Sequence, residues 1–340
     1  MLENFLRTHW GKFIGTPLPD VIQVVPLTSC VQEYGNDLIL IFTDQCTYPT
    51  YIMKISRSPL YSFKLEKEFS SLHSLRRIGS LQSFIPTPYH IGNLAQNTFF
   101  IQKGIPGSIL SKLIGLHGLN TTNQQLLNEA VNILVAINTA PVVDSPRQVL
   151  DNYEASGDTL QLFEKEYIAA GISKKTLEEL REYRKRLTEH RPRFFLHGDY
   201  WPTNLIVNTH SNRIAGIIDW EFSEPDAFLP TDIILFMIKI GRLLALKRNL
   251  DISPLESYKW TFFTEGEHTG LLKSYYQQYM KKMGLDEHVF IKLLELTLAE
   301  MAMREIKAYG KHWHMDYFYL EMFRYTLEHR SDMSGQFKTR

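Results

Sequence analysis

Apolar residues change their rhythm along this chain. From residue 21 to about 105 they come in short β-branched and aromatic runs broken by polar turns, which predicts strands. One interval departs from this: over 61–78, Leu65, Phe69, Leu72 and Leu75 recur at spacings of three and four and give a helix with one apolar face. From about residue 121 the helical period dominates. Leu127, Val131, Leu134 and Ile137 share a face within 123–138, residues 173–189 form a charged amphipathic segment, and Phe290, Leu293, Leu294, Leu298 and Met301 repeat along 289–307. Within this helical part, 193–196, 205–207 and 214–218 read as strands, and Thr209, His210, Ser211 and Asn212 have turn composition between the last two. The pattern is α+β, with a small β-rich N-terminal part and a larger, mainly helical C-terminal part. A Gly/Pro break near Gly104 sets the expected boundary, giving an N-terminal lobe over 1–104 and a C-terminal lobe over 105–340.

Chemistry concentrates on the strand-like interval. The run His197-Gly198-Asp199-Tyr200-Trp201-Pro202-Thr203-Asn204 is followed by Ile217-Ile218-Asp219-Trp220-Glu221. Folding the hairpin between them returns Asp219 towards the Asp199 loop. A phosphoryl group in transfer spreads negative charge over its oxygens, so its site needs magnesium on hard oxygen ligands and a carboxylate to orient the attacking hydroxyl. Asp199 suits the hydroxyl, and Asn204 and Asp219 suit the metal. Protein kinases carry H-R-D-x-x-x-x-N and D-F-G. Here the His-to-Asp and Asp-to-Asn spacings match, while Gly198 replaces the Arg and Asp219-Trp220-Glu221 replaces D-F-G. Upstream, Tyr51-Ile52-Met53-Lys54-Ile55 is an apolar strand carrying one lysine, as in the V-A-I-K strand whose lysine holds nucleotide phosphates.

With Gly198 and Glu221 in those places, the chain resembles the aminoglycoside phosphotransferase and choline kinase-like family, which shares an H-G-D-x-x-x-x-N loop and an I-D-W/F-E sequence. The likeness is dense over 194–234 and thinner from about residue 49. It implies a two-lobed protein-kinase-like fold and an O-phosphotransferase that moves the γ-phosphoryl of ATP or GTP, with Mg2+, to a hydroxyl of a small acceptor: an antibiotic, sugar, amino sugar or amino alcohol. It further implies Asp199 as the catalytic carboxylate, Asn204 and Asp219 as metal ligands, and His197 and Glu221 as motif members at the site. Lys54 would hold the phosphates. The family's E-x-x-x-L pattern marks the lysine's partner, and Glu68 with Leu72 fits it better than Glu66 does. Aligning Pro106-Gly107 with the family's P-G puts the purine against the carbonyl of Lys103 and the amide of Ile105. The phosphate loop departs from the pattern, since 28–36 offers only Gly35; Thr28 or Ser29 would supply a hydroxyl and an amide there. That poor loop suggests the alternative class, a non-catalytic nucleotide-binding or scaffold protein on the same fold. The segment from Glu224-Pro225-Asp226 to Asp232 resembles the family's stretch after the metal-binding Asp, and it makes Asp232 an N-cap or a brace for the loop.

Composition narrows the partners. Lys plus Arg equals Asp plus Glu at 37 each, so formal net charge is zero, which argues against broad electrostatic capture of nucleic acid or an anionic membrane. Cys30 and Cys46 make no disulfide framework, and His312 and His314 lack a third ligand at usable spacing. Residues 1–13 have no continuous apolar core of a secretory signal, and the apolar run over 233–240 meets Lys239 and Arg242 too soon to span a bilayer, so a cytoplasmic protein is expected. No A-P-E sequence or long activation segment is evident, which suits a small acceptor rather than a docked peptide. Tyr275, Tyr276, Tyr279, Tyr309, Trp313, Tyr317 and Tyr319 are the side chains from which an aromatic box for a quaternary amine could be built, with core packing as the commoner use. The sequence leaves acceptor identity and oligomeric state open.

Overall fold

The computed structural model describes residues 2–28, 35–44, 46–141, 172–188, 193–227, 229–248, 253–309, 318–333, 335 and 337. Two compact units emerge: Met1–Lys112 with His197–Asp199 and Thr203–Ser223, and Leu113–Leu196 with Tyr200–Pro202 and Glu224–Arg340.

The first unit opens with helix α1 (Leu2–Ile14), followed by β1 (Ile22–Thr28), β2 (Asn36–Thr43), β3 (Tyr51–Ser56), α2 (Ser62–Arg76), β4 (Pro88–Leu94) and β5 (Asn97–Lys103). The five strands form one antiparallel sheet in the order β1-β2-β3-β5-β4. Strand side chains alternate between faces, and this alternation decides where the chemistry goes. On one face Ile39, Ile41, Met53, Phe99 and Ile101 pack with Leu6, Trp10, Phe13 and Ile14 of α1. Burying each such side chain is worth about 1.5–3 kcal/mol, so α1 holds that face closed. Lys54, the neighbour of Met53, must therefore point to the other face, where it stands in register with Leu38 and Phe100. Phe69 of α2 meets the Phe100 ring edge-on at 5.6 Å, which sets α2 over the same face as Lys54.

The α2 face differs in one respect from the apolar stripe expected of it. Lys64, Leu65, Glu68, Ser71, Leu72 and Leu75 are buried, whereas Phe69 is half-buried at the edge. Two charged side chains one helical turn apart thus lie inside the unit. Glu66 is exposed.

A second, three-stranded sheet completes the unit: β6 (Ser108–Ile109), β8 (Leu205–Asn208) and β9 (Arg213–Ile217), in the order β6-β8-β9. The β8–β9 hairpin pairs Leu205 with Ile217, and Ile218 N–H donates to the Asn204 carbonyl at 2.9 Å. Asn204 and Asp219 therefore leave the hairpin at the same end. Gly216 admits Ile105 against this strand, for a Cβ there would lie 2.2 Å from Ile105 Cδ1.

The second unit is mainly helical. Helix α3 (Leu110–His117) leads into it, followed by α4 (Thr121–Asn138), α5 (Lys174–Thr188), a two-stranded pair of β7 (Phe194–Leu196) with β10 (Glu224–Ala227), and then α6 (Thr231–Lys247), α7 (Pro254–Phe263), α8 (Glu267–Met283), α9 (Phe290–Tyr309) and α10 (Phe318–Glu328). The apolar run near 233–240 is the heart of α6, which is buried on nearly all sides and so is a core helix. No helix among the described residues is long and apolar enough to cross a membrane.

Asp232 is not the N-cap of α6, because Pro230 occupies that place and Asp232 sits buried in the first turn. There it accepts from Asn138 Nδ2 at 3.4 Å, and the same amide donates to the Phe195 carbonyl at 2.7 Å. Tyr279 O–H donates to Asn138 Oδ1 at 2.6 Å. These bonds fix the strand that leads into the His197 loop. Tyr275, Tyr276, Tyr279 and Tyr319 are each 3% exposed or less and belong to this unit's core. Trp313, Tyr317, His312, His314, Cys30 and the Tyr309 side chain lie outside the described residues.

Candidate active site

Strand β7 ends at Leu196 and the chain turns sharply at Gly198, whose φ is +79°. A Cβ at Gly198 would lie 2.1 Å from the Phe222 carbonyl oxygen. The backbone of this loop runs against the segment after Asp219 at a distance only glycine allows, which accounts for Gly in place of the kinase Arg.

His197 locks the two segments together from inside. Its Nδ1 accepts from the Asp199 backbone N–H at 3.2 Å, so Nε2 carries the proton and donates to the Ile218 carbonyl at 3.1 Å. The ring lies 4.3 Å from that of Trp220 and is fully buried. Burial disfavours the imidazolium and holds the ring's pKa down at about 4. A neutral histidine positions the Asp199 backbone and contributes no charge.

Asn204 sits five residues on, after a 3-10 turn over Pro202–Asn204. Its Nδ2 donates to the Asp199 carbonyl at 2.9 Å and to Asp199 Oδ2 at 3.0 Å. This closes the loop into a ring and leaves the amide oxygen of Asn204 as its remaining polar atom.

Lys54, Glu68 and Asp219 meet. Lys54 Nζ donates to both Glu68 carboxylate oxygens at 2.8 Å and to Asp219 Oδ1 at 2.9 Å. The Lys54 side chain is 7% exposed and that of Glu68 is fully buried, whereas Asp219 retains 38%. Burial opposes the ammonium, but the carboxylates of Asp219 and Glu68 outweigh it and lift the lysine above its ordinary range. Burial likewise opposes the Asp219 charge, and the Lys54 ammonium prevails and holds that carboxyl below its usual range. Both groups are therefore ionised. Glu68 also accepts from the Trp220 backbone N–H at 3.3 Å, and Ser71 of α2 bonds Ser223 at 2.7 Å, so the middle of α2 is pinned to the Asp219 segment at two points.

Glu221 lies beside this cluster. Its Oε2 accepts from Asn36 Nδ2 at 2.9 Å, and Oε1 lies 3.7 Å from Lys64 Nζ. Burial, followed by the nearby Asp219 charge, pushes the Glu221 carboxyl up to about 7. Neither Lys64 nor Asn36 is apparent in the sequence as a site residue. The available signal for Lys64 is its place four residues before Glu68, which puts both on one helical face.

Lys103 and Ile105 sit where β5 gives way to the following loop. Lys103 N–H donates to Thr87 and Gly104 N–H to Thr50, each at 2.8 Å, and Ile105 leans on Gly216 as described. Ser29 lies outside the described residues.

Among the described residues no group of three acidic, histidine or cysteine side chains is placed to hold a metal ion. A cation here would have Asp219 and the Asn204 amide oxygen as its protein ligands. Such a sparse, all-oxygen donor set fits magnesium, which keeps several waters and takes phosphate oxygens. An ionised, partly exposed Asp219 fits as well.

Among proteins of known structure, a mutant aminoglycoside 2'-phosphotransferase-IIIa in complex with GDP superposes with a TM-score of 0.51 at 16% identity, over 96% of this chain and 97% of that one. The ADP-bound aminoglycoside phosphotransferase APH(2'')-Ib gives 0.52 at 13% identity, over 98% and 99%. These likenesses establish the fold as protein-kinase-like. Acyl-CoA dehydrogenase family member 10 of Mus musculus is 27% identical over 174 residues, which are 47% of this chain but only 15% of that much longer protein. The model of the phosphotransferase enzyme family matches residues 32–229, more than half the chain, and so takes in Lys54, Glu68, Asp199, Asn204 and Asp219. This chain belongs to the phosphotransferase enzyme family.

Proposed function

We propose that this protein moves the γ-phosphoryl group of ATP or GTP to a hydroxyl of a small acceptor. The observation that carries the proposal is the Lys54 ammonium held between Glu68 and Asp219, beside a loop that presents Asp199. In this reading Lys54 neutralises the phosphate chain, and Glu68 keeps the ammonium aimed and charged. Asp199 accepts a hydrogen bond from the acceptor hydroxyl and orients its oxygen for in-line attack. Asn204 and Asp219 would hold Mg2+, which supplies charge neutralisation on the transferring group. Backbone groups of Lys103 and Ile105 would contact the purine. The ADP and GDP carried by the two structural relatives support a nucleotide substrate.

Acceptor recognition falls to the helical second unit. The four tyrosines that could have formed a cationic box are packing residues there, which weakens the case for a quaternary amine. A scaffold has no chemical need for Lys54, Asp199, Asn204 and Asp219 together, so activity is the better reading than nucleotide binding alone. The test is release of nucleoside diphosphate across a panel of hydroxylated small molecules, comparing the wild type with Asp199→Asn. Acceptor-dependent release that falls about 10²-fold or more in Asp199→Asn, at unchanged nucleotide affinity, is the expected outcome. Equal turnover by the variant with a verified acceptor would remove Asp199 from its role.

A further inference from the structure

Lys64 has no part in the scheme above, yet the structure spends buried space on it. Helix α2 turns Lys64 and Glu68 to the same side, one turn apart, and the Lys64 side chain is 8% exposed. Its Nζ lies 3.7 Å from Glu221 Oε1, 4.9 Å above the Phe222 ring and 5.8 Å from the Tyr61 ring. Taking an ammonium out of water costs several kcal/mol, and an apolar side chain of similar length would pack under α2 without that cost. A buried charge retained at a site of this kind points to something it must bind.

The Lys54 pair offers the comparison. Lys54 touches Glu68 at hydrogen-bond distance through two oxygens, whereas Lys64 stands 3.7 Å from Glu221, beyond hydrogen-bond reach of it. The first pair is a hydrogen-bonded clamp, and the second is an ion pair at longer range. Glu221 is in turn tethered through its other oxygen to Asn36, the first residue of β2 after the glycine-poor loop. The Glu68, Asp219 and Glu221 side chains oppose an incoming phosphate chain, and Lys54, already committed to Glu68 and Asp219, balances this opposition only in part. A second ammonium relieves it. That is a need this chain has in particular, because 28–36 offers a single glycine to bring backbone amides to the phosphates.

We infer that Lys64 is a second phosphate-binding cation, held against Glu221 when no nucleotide is present and turned to a phosphate oxygen of the nucleotide when one binds. The inference rests on the phosphotransferase reading and adds a residue to it. It is tested by calorimetric titration of magnesium-ATP into the wild type, Lys64→Gln, Lys64→Arg and Lys64→Met, with thermal denaturation of each protein without nucleotide. Lys64→Gln should bind magnesium-ATP about tenfold or more weakly, the loss expected for one charge-assisted hydrogen bond. Lys64→Arg should stay within a few-fold of the wild type. Lys64→Met keeps the length of the stem and removes the buried charge, so it serves where the Gln variant does not fold, and it should show the same weakening. Wild-type affinity in Lys64→Met or Lys64→Gln overturns the inference, and a lowered midpoint with unchanged affinity does so by showing a packing role only. Failure of the wild type to bind either magnesium-ATP or magnesium-GTP would instead overturn the phosphotransferase reading itself, and this inference with it; where only GTP binds, the same titrations are run with magnesium-GTP.

Discussion

Gly198 and Phe222 touch through their backbones: the space where Gly198 would carry a Cβ is filled by the Phe222 carbonyl oxygen, 2.1 Å away. Two chain segments, one bearing Asp199 and the other Asp219, are thereby held at a spacing that no side chain could share. Gly198 is also at φ +79°, a conformation that L residues with a Cβ adopt only at a cost. Gly198→Ala should lower the free energy of unfolding by about 2–4 kcal/mol. Denaturant midpoints would show this, and a change under about 0.5 kcal/mol would mean that the two segments part easily.

The Lys54 clamp predicts strong coupling. Lys54→Ala leaves the Glu68 and Asp219 carboxylates without their shared cation, and breaking a buried pair in this way costs about 3–5 kcal/mol. Adding Glu68→Ala to Lys54→Ala should bring little further loss of nucleotide use, because the two residues act as one unit. Glu66 is exposed, so Glu66→Ala should be nearly silent. Steady-state kinetics on Lys54→Ala, Glu68→Ala, the double variant and Glu66→Ala decides the matter, and a large defect in Glu66→Ala with none in Glu68→Ala would reassign the partnership.

Charge separates the two proposed metal ligands. Asp219 brings a carboxylate held below its usual pKa range, and Asn204 brings a neutral amide already committed to Asp199 through its nitrogen. Asp219→Ala should therefore raise the magnesium concentration needed for nucleotide binding by more than Asn204→Ala does. Titrating magnesium at fixed nucleotide measures both, and an unchanged requirement in Asp219→Ala would refute the assignment.

His197 gives a pH signature. Its pKa falls from 6.5 when unfolded to about 4 in the folded protein, so between these values only the unfolded chain takes up the proton. Stability from this group is present above pH 6.5 and is lost as pH falls towards 4, in total on the order of 3 kcal/mol. Glu221, pushed up to about 7, acts in the opposite sense across the same range. Comparison with His197→Gln isolates the histidine: the variant should lose less stability than the wild type on going from pH 7 to pH 4. Parallel curves would show that the ring is not buried and neutral.

The HGD-to-Asn spacing and the Ile-Asp-Trp-Glu sequence are legible in the chain because the groups they bring together are neighbours along a loop and a short hairpin. The helix carrying Glu68 is legible too, since its period is local. Lys64 is not, because a lysine on an amphipathic helix reads as solvated until Glu221 and Phe222, more than 150 residues later, are placed beside it. For the same reason the chain shows a break near Gly104 but not that Thr203–Ser223 packs within the first compact unit, a grouping made by β6 pairing with β8. Tyr275, Tyr276 and Tyr279 read as core more readily than as a box from spacing alone, and their depth in the second unit decides for the core.

Asp219 has φ +69°, in a region where Gly, Asn and Asp are the tolerated residues. The cation proposed for this position would ask for a carboxylate, which admits Asp and Glu. Only aspartate passes both requirements, so the residue is fixed twice, once by the turn and once by the chemistry. The two can be pulled apart: Asp219→Asn satisfies the backbone and fails the metal, while Asp219→Glu keeps the charge and strains the turn. A family member carrying Asn here would be expected to fold and not to transfer, which makes this single position a reader of whether such a protein is an enzyme or a binding module.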